Sequence, residues 1–159
     1  MQRVLILGGG GSGKSTLARR LSQITGLPLI ELDKVFWQSG LTALPPQQWI
    51  ALQGRLVAGG GWILDGDLGP HDVVEVRLRA ADTIIFLDLS PARCAWRAFR
   101  RGRERADFWW WLLQYRRRSR PRLLNAIAEH APAATLHRLR TPREVARFVT
   151  GLSAGGGAR

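Results

Sequence analysis

The chain has 159 residues, 45% hydrophobic and 23% charged, enough for one globular domain with a sizeable core. No apolar run is long enough to span a bilayer, no signal peptide opens the chain, and the single cysteine, Cys94, excludes an internal disulfide, so a cytoplasmic protein is expected. The net charge of +12 rests almost wholly on arginine, Lys14 and Lys34 being the only lysines.

Residues 3–7 read as a first strand and 14–25 as a first helix, ended by Gly26 and Pro28. Between them lies Gly8-Gly9-Gly10-Gly11-Ser12-Gly13-Lys14-Ser15, which fits G-x-x-x-x-G-K-[ST] in its required strand–loop–helix context. Triphosphate needs many donors at short range. Glycines let the backbone turn its N–H groups inward, and the helix start adds free N–H groups and a positive dipole end. Gly9 to Thr16 are therefore the expected nucleotide cradle, with Lys14 on the β- and γ-phosphates, Ser15 on Mg²⁺ and Thr16 in support.

Leu29-Ile30-Glu31-Leu32 is a short strand with Asp33 at its carboxyl end, where open α/β sheets bind ligands; Asp33 reads equally as a substrate-facing acid or as a helix cap or turn residue. Residues 35–44 are irregular, and a helix is expected at about 47–58 with Trp49, Leu52 and Leu56 on one face. Trp62-Ile63-Leu64-Asp65-Gly66 is an apolar strand ending in an acid that can hold Mg²⁺ through water. Residues 67–81 read as a polar connection, with His71 at the surface. Thr83 to Asp88 is a further buried strand, and Asp88 rivals Asp65 as the metal-side carboxylate.

Ser90-Pro91 starts a helix carrying Arg93, Arg97, Arg100 and Arg101. Cys94 within it reads as a packed small residue rather than a nucleophile. After a polar break at 102–105, Phe108 to Tyr115 is apolar all round, Pro121 sets a break near Ser119, and a helix follows at about 120–130. Residues 134–138 form a last strand, and Thr141-Pro142-Arg143-Glu144 is a capping box opening a helix with Val145, Phe148, Val149 and Leu152. The domain is expected over 1–152, with a flexible tail at 153–159. The alternation of elements predicts an α/β domain with a parallel sheet.

Residues 93–122 hold eleven arginines against Glu104 and Asp107, a charge of +9. Two functions suit this segment: a mobile lid that brings arginines onto phosphate, or a surface on nucleic acid. Trp109-Trp110-Trp111 cannot form one stacking platform, because successive helical residues point about 100° apart, so core or partner packing is the expectation for them.

Together these stretches resemble the adenylate-kinase-like P-loop proteins of the DNA topology modulation family. The likeness runs through Arg3 to Leu7, Leu32-Asp33-Lys34-Val35-Phe36-Trp37, Gly61 to Gly66, Arg77-Leu78, Ala81 to Asp88, Arg117 to Pro121 and Arg140 to Val145. It implies a three-layer P-loop NTPase of the nucleoside-monophosphate-kinase type, with a five-stranded parallel sheet and an arginine-rich lid at about 93–122, using ATP and Mg²⁺. It implies Arg97, Arg101 and Arg103 on the phosphates, Arg140 by the adenine, and Asp33, Trp37, Asp67 and Arg77 toward the acceptor. The family's Asp-Gly-Asn-Tyr is Asp65-Gly66-Asp67-Leu68 here, and the lid is short between Arg105 and Phe108. The leading expectation is an ATP-dependent phosphotransferase acting on an unidentified small molecule, nucleoside or nucleotide. The alternative is an ATP-binding protein that modulates DNA topology, although a charge of +12 brings non-specific nucleic-acid binding in either case.

Overall fold

A computed structural model describes residues 1–36, 44–66, 72–101 and 114–155. Five strands, β1 (Arg3–Gly8), β2 (Leu29–Glu31), β3 (Trp62–Asp65), β4 (Thr83–Leu87) and β5 (Thr135–Leu139), form one sheet in the order β2-β3-β1-β4-β5. Every pairing is parallel. Among the described residues the helices are α1 (Lys14–Thr25), α2 (Leu32–Phe36), α3 (Pro46–Val57), α4 (Glu75–Ala80), α5 (Pro91–Arg101), α6 (Ser119–His130) and α7 (Pro142–Gly155).

The side-chain alternation of the strands builds three layers. Leu5, Leu7, Trp62, Leu64, Ile84 and Phe86 point to one face, where Phe36, Trp49, Leu78, Leu123 and Ile127 of the helices cover them. Val4, Ile6, Ile63, Ile85 and Leu87 point to the other, against Leu17, Leu21 and Val149 of α1 and α7. The central strands are buried on both faces, which is why they read as continuous apolar runs. Phe36 and Trp49 meet edge to face at 5.0 Å between ring centroids, and burying each ring stabilises the layer by roughly 1.5–3 kcal/mol.

Three expectations are corrected. Asp33 lies inside a helix, α2, that follows directly on β2, where a strand end and irregular chain are expected. Residues 75–80 are helical rather than a polar connection. There Val74 and Leu78 pack into the core, and Arg77 is buried with its charge matched, so hydrophilic residues hide a packed face. The C-terminal helix runs on through Ser153 to Gly155, so the tail expected from 153 starts as helix. Pro121 stands in the first turn of α6, where its missing N–H costs little, so the break near Ser119 holds. The expected capping box forms at the head of α7: Glu144 N donates to Thr141 Oγ1 at 3.2 Å and Arg140 N to Glu144 Oε2 at 2.7 Å. No described helix is long and apolar enough to cross a membrane.

Candidate functional site

The site lies along the carboxyl edge of the sheet. The loop from β1 to α1 turns through Gly11 at φ 72° and Gly13 at φ 95°, the left-handed region that glycine alone enters at little cost. Gly13 is the N-cap residue of α1, so the free N–H groups of the first turn open onto the loop. The loop is also tightly enclosed. A Cβ on Gly11 would stand 2.4 Å from the carbonyl oxygen of Cys94, and one on Gly9 would stand 3.2 Å from the Tyr115 ring. Gly10 sits in the turn between them.

Lys14 Nζ donates to the carbonyls of Gly8 at 2.8 Å and Gly9 at 3.1 Å, which holds the ammonium over the loop. Asp65, paired in register with Ile6 of β1, is buried. Burial raises its pKa, opposed by a hydrogen bond from the Ser15 hydroxyl and by the charge of Lys14. Its Oδ1 is buried without a hydrogen-bond partner among the described residues, as is the Ser12 hydroxyl. A buried carboxylate with one oxygen unpartnered, close to a loop hydroxyl, suits a hard cation and its water shell. The donor set therefore fits Mg²⁺ beside a phosphate-binding loop.

Asp88, the rival carboxylate, is already committed. Arg120 Nε donates to Oδ1 at 2.8 Å, and Arg138 Nη2 donates to Oδ2 at 2.6 Å. Burial pushes the Asp88 pKa up, but the two guanidinium groups outweigh it and leave the carboxyl below its ordinary range. Asp88 thus braces α6 and β5, whereas Asp65 has no ion pair among the described residues.

Asp33, in the first turn of α2, is exposed, yet enough protein crowds its carboxylate for desolvation to raise its pKa. Lys14 opposes that rise, while Asp65 and Asp72 add to it, which puts these three groups within electrostatic reach of Asp33. Arg77 is not presented to this space. Its side chain is fully buried, its Nη2 donates to Asp72 Oδ2 at 2.6 Å, and its Nη1 donates to Asp72 Oδ1 and to Gln53 Oε1. In this state Arg77 ties α3 to the start of α4.

From α5, Arg97 Nη1 donates to the Ser12 carbonyl at 3.1 Å, so one arginine of the basic segment touches the loop. Arg101 ends α5, and Trp37, Asp67, Arg103 and Trp109–Trp111 lie outside the described residues. Beside the loop a cavity of about 450 Å³ is lined by Gly11, Ser12, Gly13 and Thr16, by Arg20 and Arg97, and by apolar side chains of α1, β4 and α7. Pro142 is on its wall. Arg140 is not: it is exposed, and its N–H serves the capping box. Sequence reasoning missed Arg20, although it stands one helical turn beyond Thr16, and it missed Tyr115 as the ring over Gly9, hidden in an aromatic run that carries no positional signal. Cys94 is buried, and burial raises its thiol pKa, so it is no thiolate nucleophile.

No protein-family model and no curated protein sequence matches the chain. Solved structures do. A shikimate kinase from Acinetobacter baumannii, in complex with shikimate, superposes with a TM-score of 0.64 at 15% identity, covering 100% of this chain and 97% of its own. A sugar kinase from Janibacter sp. HTCC2649 gives 0.58 at 19% identity, covering 99% and 97%. A gluconokinase from Sinorhizobium meliloti 1021 gives 0.56 at 19%, covering 98% and 91%. At these identities the likeness is one of fold: an α/β P-loop domain of the kinase type.

Proposed function

We propose that the protein is an ATP- and Mg²⁺-dependent phosphotransferase that carries a phosphoryl group to a small-molecule acceptor. The observation that carries this reading is the pairing of Ser15 with a buried Asp65 whose second oxygen has no partner, directly beside the loop that holds Lys14. The kinase names of the structural neighbours support the same reaction class.

In this reading the backbone N–H groups of Gly9 to Lys14 hold the triphosphate, and Thr16 supports it. Ser15 and Asp65 hold the metal, which when bound draws charge off the β- and γ-phosphate oxygens. Lys14 and Arg97 stabilise charge on the transferring group, with Arg101 and Arg103 assigned to the same task. Asp33 accepts the proton of the acceptor hydroxyl as the new P–O bond forms and the bond to the ADP oxygen breaks. Its raised pKa suits that role, because a carboxylate nearer the working pH is the better base. Trp37, Asp67 and Arg77 are assigned to the acceptor side, Arg77 acting there through Asp72 rather than by contact.

The test is transfer of label from γ-labelled ATP with Mg²⁺ to a panel of nucleosides, nucleotides and polyols. One acceptor should be labelled, and Lys14→Ala should lower kcat at least about 100-fold, the loss of one charge-stabilising donor being worth about that. If no acceptor is labelled and Lys14→Ala changes neither ATP binding nor hydrolysis, the proposal fails.

A second reading has its own observation. Trp96 and Phe99 stack on α5 at 6.4 Å, 61% and 68% exposed, among the exposed Arg93, Arg97 and Arg100. An exposed aromatic pair amid cations suits single-stranded nucleic acid, in keeping with the resemblance to the DNA topology modulation family.

A further inference from the structure

The 450 Å³ cavity beside the loop is where the base of the phosphate donor would lie, and its lining bears on which base. Leu17, Leu87, Leu89, Val145 and Val149 supply shape without polarity. Hydrogen-bond acceptors on lining side chains are confined to the hydroxyls of Ser12 and Thr16, which belong to the loop and the start of α1. The polar groups of the neighbouring capping box are engaged: Arg140 N and Thr141 Oγ1 both bond to the Glu144 carboxylate, and Glu144 N bonds to Thr141. Away from the Ser12 and Thr16 hydroxyls at the phosphate end, no lining side chain can accept from the amino group that distinguishes adenine.

The remaining polar side chains, Arg97 and Arg20, can only donate. Arg97 is engaged with the Ser12 carbonyl. Arg20 is exposed at the cavity wall and has no hydrogen bond or ion pair among the described residues. A free guanidinium fork matches two adjacent acceptors, which guanine presents as O6 and N7 and adenine does not. We infer that the donor pocket is permissive for the purine base, taking GTP as well as ATP, and that Arg20 is the residue that admits guanine. This rests on the phosphotransferase reading and specifies its donor.

The experiment is calorimetric titration of the full chain with ADP·Mg²⁺ and GDP·Mg²⁺, on wild type, Arg20→Ala and Arg20→Lys. Wild type should bind the two within about threefold of each other. Arg20→Ala should lower the affinity for GDP relative to ADP by about tenfold, the size of one bidentate base contact. Arg20→Lys, which keeps the charge but not the fork, should lower the ratio nearly as far. Wild type binding ADP more than about 30-fold tighter than GDP, a gap of about 2 kcal/mol, would overturn the inference and leave the kinase reading intact. An unchanged ratio in both variants would remove Arg20 from it. Failure of both nucleotides to bind would sink the kinase reading itself.

Discussion

At the scale of single residues, Asp65 is costly to the fold, a cost that the proposed metal-holding role would explain. Burial raises its pKa, so the native state binds the proton more readily than the unfolded chain does. Where the folded group is still protonated and the unfolded one is not, stability falls as pH rises, and above the folded pKa the full cost remains. Asp65→Asn removes the charge and keeps the shape. It should raise the melting temperature at pH 7, and the gain should disappear below the ordinary carboxylate range, where the wild-type group is protonated in both states. The same variant should lose the Mg²⁺-dependent part of ADP binding. A variant no more stable than wild type at pH 7 would mean that another group already balances the charge. Asp65 and Asp88 could not be told apart in the sequence because each closes an apolar strand. What separates them is reach across the chain: the arginines that claim Asp88 lie 32 and 50 residues away.

At the scale of elements, the loop, the strands and the capping box were legible because each is encoded within a few residues. α2 and α4 were not. α2 has only five residues, with Leu32 and Phe36 buried, too few to show a helical period, and the packed face of α4 contains the fully buried Arg77, a charged residue in a core position that breaks the periodicity revealing a helix. The brace at Asp88 belongs to this scale too, since it joins the end of β4 to α6 and β5. Asp88→Asn leaves two guanidinium groups without their acid. Because both arginines are partly exposed and can be solvated, the cost should be about 2 kcal/mol rather than that of a fully buried pair. Denaturant unfolding measures it. Since the folded pKa of Asp88 is lowered, its contribution is present above the ordinary Asp pKa and lost as pH falls below it. The gap between variant and wild type should therefore close in acid. A gap that persists at low pH would show that hydrogen-bond acceptance by both oxygens, not charge, is what Asp88 supplies.

At the scale of the whole molecule, the charge of +12 makes some nucleic-acid binding inevitable, so its mere detection separates nothing. The salt dependence and the sequence dependence do separate the two readings. A site that neutralises about three phosphates loses roughly 40-fold in affinity for duplex DNA between 50 and 200 mM salt, whatever the base sequence. A phosphotransferase carrying an arginine-rich lid should show that steep slope, equal affinity for random sequences and no preference for single strands. A surface built on Trp96 and Phe99 should behave differently, because stacking adds salt-independent affinity of about 1–3 kcal/mol per base on single strands. The deciding variant is Trp96→Ala with Phe99→Ala, which removes the exposed pair and leaves Arg97 on the loop. Its binding to a single-stranded oligonucleotide at 200 mM salt should match wild type within about twofold if α5 serves only the phosphates, and ADP binding should be unchanged. A loss of about tenfold or more on the single strand alone, with ADP affinity kept, would assign the outer face of α5 to nucleic acid and its inner edge to the loop.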